Sequence, residues 1–269
     1  MIRHPAVAGQ FYPANPRELS ALIHRYTDGP KVQEPMRARA CLVPHAGYVY
    51  SGPVAGAVFS RIVIPNKILI LGVRHYPRGE SLAILSEGMW RTPLGDVPID
   101  EQLAARLRKA CPALREDSVA HSREHSLEVE LPFLQTRNPG IAFVPVALGT
   151  IRFEELVKVG EGVARVLTES QEDILIVTSS DMNHYEDEET TRRKDQKAMD
   201  RMLQLDAKGL YEVCRDEEIS MCGLGPAVAM LTALQGLGAK WAEVVRYATS
   251  GETSGDRSAV VGYAGMIFN

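Results

Sequence analysis

Short apolar runs that alternate with segments of helical spacing are the feature that most constrains this fold. Residues 67–71 and 174–178 consist almost entirely of Ile, Leu and Val, a composition typical of strands buried on both faces of a parallel sheet. A third apolar run covers residues 38–43. Because parallel strands need long crossover connections, the alternation predicts an α/β fold with a mainly parallel central sheet sandwiched by helices.

The other predicted elements follow the same alternation. Helices are predicted at residues 53–61, 100–110, 153–167, 186–204 and 226–237, with Asp100 as the N-cap of the second. Further strands are predicted at residues 82–85 and 141–146, and residues 242–248 and 259–267 are expected to pair antiparallel. The most linker-like stretch, residues 27–37, is too short to separate domains, so we predict a single domain over residues 1–269.

The composition excludes several classes of function. The net charge is −4, and no stripe of Lys and Arg with interleaved aromatics is present, which argues against nucleic acid as a partner. The chain has no run of roughly 18 apolar residues, and its first residues lack the apolar core of a signal peptide, so no membrane partner is expected. The four cysteines are scattered without a C-x-x-C pair, which fits a reducing, cytoplasmic location.

Three of the apolar runs lead into a histidine. Residues 41–44 are followed by His45, residues 68–74 by His75, and residues 174–183 by His184. Ligands of open parallel sheets bind just beyond the carboxyl ends of the strands, so three imidazoles are expected at one sheet edge. Imidazole is a common ligand of iron, copper and zinc. Each histidine alone is also consistent with a capping or hydrogen-bonding role in a loop.

Two further residues near these runs can take part in chemistry. Cys222 precedes a predicted helix, whose N-terminus would favour a thiolate that can bind a metal or act as a nucleophile. The alternative for Cys222 is a small buried apolar residue. Asp181, three residues before His184, is either a carboxylate that orients a ligand imidazole or a helix N-cap.

A polar segment between the second and third runs holds two histidines and several carboxylates. The order of His121, Glu124 and His125 does not match the H-E-x-x-H motif of zinc proteases. His125 and Glu128 are therefore candidates for polar residues of an active site. A solvated helix start is the alternative.

Several ordered motifs give the chain a resemblance to a known family. They are Pro44-His45-Ala46-Gly47-Tyr48, Leu71-Gly72-Val73-Arg74-His75, Arg91-Thr92-Pro93-Leu94-Gly95, Glu124-His125-Ser126-Leu127-Glu128, Ser179-Ser180-Asp181 with His184, and Met221-Cys222-Gly223. In this order they resemble the Memo family, from Ala6 near the start to Gly265 near the end. Members of that family are similar in fold to class III extradiol dioxygenases.

The resemblance implies a mononuclear metal site at one sheet edge. His45, His75 and Cys222 are its implied metal ligands, and His184, Asp181 and His125 its implied catalytic residues. Iron(II) is the expected cofactor, with copper or zinc as alternatives. The implied role is redox or dioxygenase-like chemistry in partnership with a radical SAM system, on a small-molecule or peptide ligand. A non-catalytic scaffold that retains the pocket is the alternative.

Overall fold

The computed structural model describes residues 1–28 and 34–269, so part of the linker-like stretch at residues 27–37 lies outside the described residues. The strands are β1 (Ile2–Arg3), β2 (Ala40–Val43), β3 (Lys67–Val73), β4 (Leu82–Ile84), β5 (Met89–Thr92), β6 (Gly95–Pro98), β7 (Arg115–Glu116), β8 (Ala142–Leu148), β9 (Ile174–Ser179), β10 (His184–Glu186), β11 (Ala242–Thr249) and β12 (Val260–Phe268). The helices are α1 (Pro16–Thr27), α2 (Tyr48–Arg61), α3 (Glu101–Ala110), α4 (Ser118–His121), α5 (Leu131–Arg137), α6 (Phe153–Thr168), α7 (Glu188–Leu203), α8 (Ala207–Asp216), α9 (Leu224–Gly236) and α10 (Gly251–Ser254).

In the part of the chain that the structure describes, nine strands form a mixed sheet at the centre of the fold. Along it the strands follow the order β10-β12-β2-β9-β3-β8-β4-β7, and β11 pairs with β12. The four strands β2, β9, β3 and β8 run parallel, with Leu42 opposite Thr178 and Leu69 opposite both Ile176 and Val144. Antiparallel pairs flank this parallel part, β12 on one side and β4 on the other. The predicted α/β class is confirmed.

Helices cover both faces of the sheet because successive strand residues point to opposite sides. Leu42, Leu69 and Ile176 belong to one apolar cluster, which the side chains of α3, α6, α8 and α9 complete. Cys41, Ile68 and Val177 belong to a second cluster on the other face, with α1, α2 and α5. The central strands are therefore buried on both faces, as their continuous apolar composition predicted.

Helix boundaries follow local capping chemistry. Asp100 caps α3 as predicted, since its side chain accepts a hydrogen bond from the backbone N–H of Leu103. The helix α2 begins five residues before the predicted start at residue 53, at Tyr48, and Pro53 lies inside it. The antiparallel pair β11 and β12 is confirmed over residues 242–249 and 262–268.

Several elements were not predicted. Within the described residues, a second, three-stranded sheet joins β1, β5 and β6, and a turn at residues 93–94 connects β5 and β6 as a hairpin. The short strand β10 pairs with the beginning of β12, which places His184 at the sheet edge where β2 and β9 end. Among the described residues, no helix combines the length and the apolar character needed to cross a membrane.

Candidate metal centre

Three histidine rings meet at the carboxyl ends of the central strands. His45 follows β2, His75 follows β3, and His125 lies in the loop between α4 and α5. One ligand nitrogen from each ring lies within 4.8 Å of the other two. The rings of His75 and His125 stack with centroids 4.5 Å apart, and the ring of His45 meets both edge-on at 5.1 and 5.5 Å. These three imidazoles could hold a metal ion.

His45 is held on both its backbone and its ring. Its N–H donates to Oδ1 of Asp181 at 2.8 Å, and its Nδ1 lies 2.8 Å from Oγ of Ser179 at the end of β9. The ring is almost fully buried. Burial, together with the nearby charge of His75, lowers the pKa of His45 to about 3, so the ring is neutral near pH 7.

His75 is oriented by a buried carboxylate. Its Nδ1 lies 2.9 Å from Oε1 of Glu124, and its backbone N–H donates to Oε2 of the same group at 2.7 Å. Burial acts to raise the pKa of Glu124, but the hydrogen bonds and charge of His75 and the N–H of Ser126 outweigh it and lower the pKa to about 2. An ionised Glu124 keeps the hydrogen of His75 on Nδ1, which leaves Nε2 able to bind a metal.

The ring of His125 is mostly buried, and one of its nitrogens lacks a partner. Nδ1 is enclosed, has no hydrogen bond within the described residues, and lies 3.8 Å from Oε1 of Glu124, too far for a hydrogen bond. The ring of Phe11 packs on the ring of His125 at 4.8 Å. Burial and the charges of His45 and His75 lower the pKa of His125 to about 4. A neutral, underpartnered imidazole is suited to ligate a cation.

Cys222 lies beside His45 just before α9. Its Sγ is 3.3 Å from Nε2 of His45 and 3.3 Å from the backbone nitrogen of Asp181. The expected thiolate is not favoured in this environment, because desolvation and the charge of Asp181 raise the pKa of Cys222. A bound metal ion would reverse this balance, since coordination deprotonates a thiol.

Asp181 and His184 border the same cluster. Burial raises the pKa of Asp181, and the carboxylate accepts the backbone N–H of His45. The N-cap alternative for Asp181 is wrong, because Asp187 caps α7. His184 is partly exposed, and its Nδ1 lies 3.0 Å from the carbonyl oxygen of Ser220, which can only accept, so the hydrogen of the neutral ring is on Nδ1.

The N-terminal segment is tied to the loop that carries His125. The buried carboxylate of Glu128 accepts hydrogen bonds from Arg3, from the backbone N–H groups of Ala6 and Val7, and from the hydroxyl of Tyr12 at 2.5 Å. Glu128 therefore anchors the N-terminal segment, which carries Phe11 against His125, and its carboxylate is fully occupied by these contacts. The solvated helix start is also wrong, because Glu124 and residues 126–128 are buried.

Comparison with known proteins identifies the family. The family model described as Memo-like protein matches residues 3–267. The chain belongs to the Memo family. It is 40% identical to a MEMO1 family protein of Methanopyrus kandleri over all of this chain and 99% of the relative, and 42% identical to one of Aquifex aeolicus over 99% of both.

A solved structure supports the fold. The crystal structure of an uncharacterized protein from Escherichia coli K12 superposes with a TM-score of 0.56 at 14% sequence identity, and the match covers 86% of this chain and all of that one. At this identity the likeness concerns the fold alone. A similar fold is therefore found in a chain with little sequence in common.

The structure brings together some of the candidate residues named from the sequence and separates others. His45 and His75 lie together as expected, and His125, assigned from the sequence to catalysis, completes their cluster. Cys222 adjoins His45, while His184 lies on the edge strand β10. Three residues behind the rings had no role assigned from the sequence: Glu124, Ser179 and Glu130. Glu124 and Ser179 lie in the motifs that carry the resemblance, whereas Glu130 lies outside them.

Proposed function

We propose that this Memo family protein binds a single metal ion, iron(II) in the cell, at His45, His75 and His125, with Cys222 as a fourth ligand. The observation that carries the proposal is the approach of three imidazole nitrogens, all within 4.8 Å of one another, from three separate loops. The low pKa values of His45 and His125 support it, because a ligand imidazole must be neutral.

The separation between Cys222 and His45 supports a shared ion. Bonds of about 2.1 Å to nitrogen and about 2.3 Å to sulfur place two ligands of one ion roughly 3.3–3.6 Å apart. The observed distance between Sγ and Nε2 is 3.3 Å. Cys222 is not part of the group whose ligand atoms all lie within 4.8 Å of one another, so the proposed fourth bond requires its side chain to move towards His75 or His125. A set of imidazoles with one thiolate suits iron, copper or zinc and disfavours magnesium or calcium.

The catalytic form of the proposal assigns redox chemistry to the site, comparable to that of extradiol dioxygenases. The ion would supply Lewis acidity and electron transfer to a small oxidisable ligand. Asp181 is the proposed proton acceptor, because it is buried beside the cluster and burial raises its pKa. His184 is the proposed second proton carrier, since its Nδ1 is fixed on Ser220 and its Nε2 is left for exchange.

A second candidate function is a metal-carrying scaffold without turnover. The position of Cys222 favours it, since a site with four protein ligands is closed in the manner of structural metal sites. A radical SAM protein as partner remains a prediction for either form. Oxygen uptake separates the two, because only the catalytic form requires a coordination position that a ligand can enter.

The test is the metal content of anaerobically purified protein, measured by elemental analysis in the unmodified chain and in His45→Ala, His125→Ala and Cys222→Ser. His24→Ala is the matched control, because His24 is an exposed histidine that pairs with Asp28 and is not part of the cluster. Near-stoichiometric iron in the unmodified chain and the control, with loss in His45→Ala and His125→Ala, would support the proposal. Full metal retention in His45→Ala would refute it.

A further inference from the structure

A carboxyl group lies behind His45 without a cation beside it. Glu130 is 1% exposed, and in the part of the chain that the structure describes it forms no ion pair. Burial raises the pKa of Glu130 well above its usual range. Because placing a carboxyl group in the interior is costly, a lone one calls for an explanation in the contacts that it makes.

Glu130 reaches His45 through one hydroxyl group. Oγ of Ser179 donates to Oε1 of Glu130 at 3.0 Å, and the same Oγ lies 2.8 Å from Nδ1 of His45. A hydroxyl group has a single hydrogen. Oε1 of Glu130 accepts this hydrogen both when the carboxyl group is ionised and when it carries its own hydrogen on Oε2, so Ser179 can only accept from His45. The hydrogen of the neutral ring is then on Nδ1, and Nε2 carries the free lone pair.

The opposite hydrogen-bond direction would leave His45 without a free lone pair on Nε2. If Ser179 donated to Nδ1, the ring hydrogen would be on Nε2, the atom that lies 3.3 Å from Sγ of Cys222. A protonated nitrogen cannot bind a metal. The direction of one hydroxyl group therefore decides whether His45 is ready to act as a ligand.

We propose that Glu130 is a positioning residue that acts through Ser179 to fix His45 in the tautomer with a free Nε2. The proposal deepens the proposed metal-binding function and rests on it for its role. The remaining titratable groups that interact with Glu130 are Cys41, Tyr48 and Asp181, none of them a cation. Within the described residues, Oγ of Ser179 is the one hydrogen-bond donor to the carboxyl group of Glu130. His75 has its hydrogen on Nδ1 as well, but there the ring forms a hydrogen bond directly with the carboxylate of Glu124.

The experiment reads the tautomer of His45 in metal-free protein by long-range ¹H–¹⁵N NMR, with the signal assigned by its loss in His45→Gln. Ser179→Ala and Glu130→Leu each break the chain of hydrogen bonds that joins Glu130 to His45 through Ser179. Thr178→Val is the matched control: Thr178 is the buried neighbour of Ser179 on β9, and its hydroxyl has no hydrogen-bond partner within the described residues. We expect the Nδ1–H form in the unmodified chain and in Thr178→Val, and a shift to the Nε2–H form in Glu130→Leu.

Affinity for Zn²⁺, measured by competition with a chromophoric chelator, gives the second readout. Removing a group behind a metal ligand lowers affinity about 10- to 100-fold, so we expect this loss in Ser179→Ala and less than about threefold in Thr178→Val. An Nε2–H form in the unmodified chain, or unchanged affinity in Ser179→Ala, would overturn the proposal. Failure of the unmodified chain to bind any metal, with the Nδ1–H form intact, would refute the metal-binding function instead.

Discussion

The Nε2 atom of His45 lies 3.3 Å from the Sγ atom of Cys222, although 177 positions separate the two residues in the sequence. β2 delivers the histidine and the start of α9 delivers the cysteine to the same sheet edge. The two atoms form a donor pair of mixed type, one imidazole nitrogen and one sulfur. Such a pair distinguishes soft and borderline metal ions from hard ones.

Replacing Cys222 by serine should change the spectrum of the cobalt-substituted protein. A thiolate bound to Co²⁺ gives an intense charge-transfer absorption that imidazoles do not. We expect this absorption in the unmodified chain, and we expect it to vanish in Cys222→Ser together with at least a tenfold loss of affinity. Cys214→Ser is the control, because Cys214 is a buried thiol of α8 outside the cluster. An unchanged spectrum in Cys222→Ser would exclude the sulfur as a ligand.

Replacing Glu128 by alanine should destabilise the whole chain. The mutation leaves the buried guanidinium of Arg3 without its partner, and breaking a buried pair in this way costs about 3–5 kcal/mol. The free energy of unfolding in urea measures the loss. The control is Arg91→Ala, which breaks an exposed pair with Asp96 and should cost less than about 1 kcal/mol. Equal losses in the two variants would contradict the anchoring role of Glu128.

Gly223→Ala should damage the site by steric overlap. A Cβ atom at Gly223 would collide with the side chain of Ser180 and lie 2.9 Å from the carbonyl oxygen of Ser179. Relieving the overlap moves the segment that carries Cys222, at a cost of about 1–3 kcal/mol in unfolding free energy. In the control, Gly140→Ala, the added Cβ comes no closer than 3.4 Å to its neighbours. A Gly223→Ala variant as stable as that control would show that the segment adapts freely.

Acidification should destabilise the metal-free protein through His125. The pKa of its ring is about 4 in the folded chain and about 6.5 when unfolded, so below pH 6.5 the unfolded chain binds the proton and the folded chain does not. His125 therefore contributes stability above pH 6.5 that is lost as the pH falls towards 4. Between pH 6.5 and 5 the loss is roughly 2 kcal/mol.

Urea unfolding at the two pH values, compared between the unmodified chain and His125→Gln, measures this contribution. The comparison is needed because buried carboxyl groups such as Glu130, whose pKa is raised, act in the opposite direction. We expect the stability difference between the two proteins to shrink on acidification. A difference that is independent of pH would mean that His125 is protonated in the folded state as readily as in water.

The sequence predicts those parts of the fold that periodicity and burial determine locally. β3 and β9 are continuous apolar runs because both their faces are covered, and His45 and His75 could be placed because each follows such a strand. The edge strand β10 has three residues and no apolar pattern, so the position of His184 could not be derived. The sheet is also less parallel than expected, because β12 inserts antiparallel beside β2.

The contact of Glu130 with Ser179, behind the ring of His45, could not be predicted for a different reason. Glu130 and Ser179 are 49 positions apart and meet only in the folded chain, where Glu130, directly before α5, accepts a hydrogen bond from Ser179 at the end of β9. Nothing in the sequence near Glu130 separates it from an exposed glutamate such as Glu154. Its role depends on burial and on the direction of a hydrogen bond, which are properties of the folded chain.

The place of β12 in the sheet bears on biosynthesis. This strand, the last of the described chain, lies between β2, which leads to His45, and β10, which begins with His184. A ribosome that has made every proposed ligand has therefore not yet supplied the strand that brings β2 and β10 together. The edge strand that carries His184 can therefore join the sheet only after residues 260–268 have left the exit tunnel, whereas the four proposed metal ligands are all synthesised earlier.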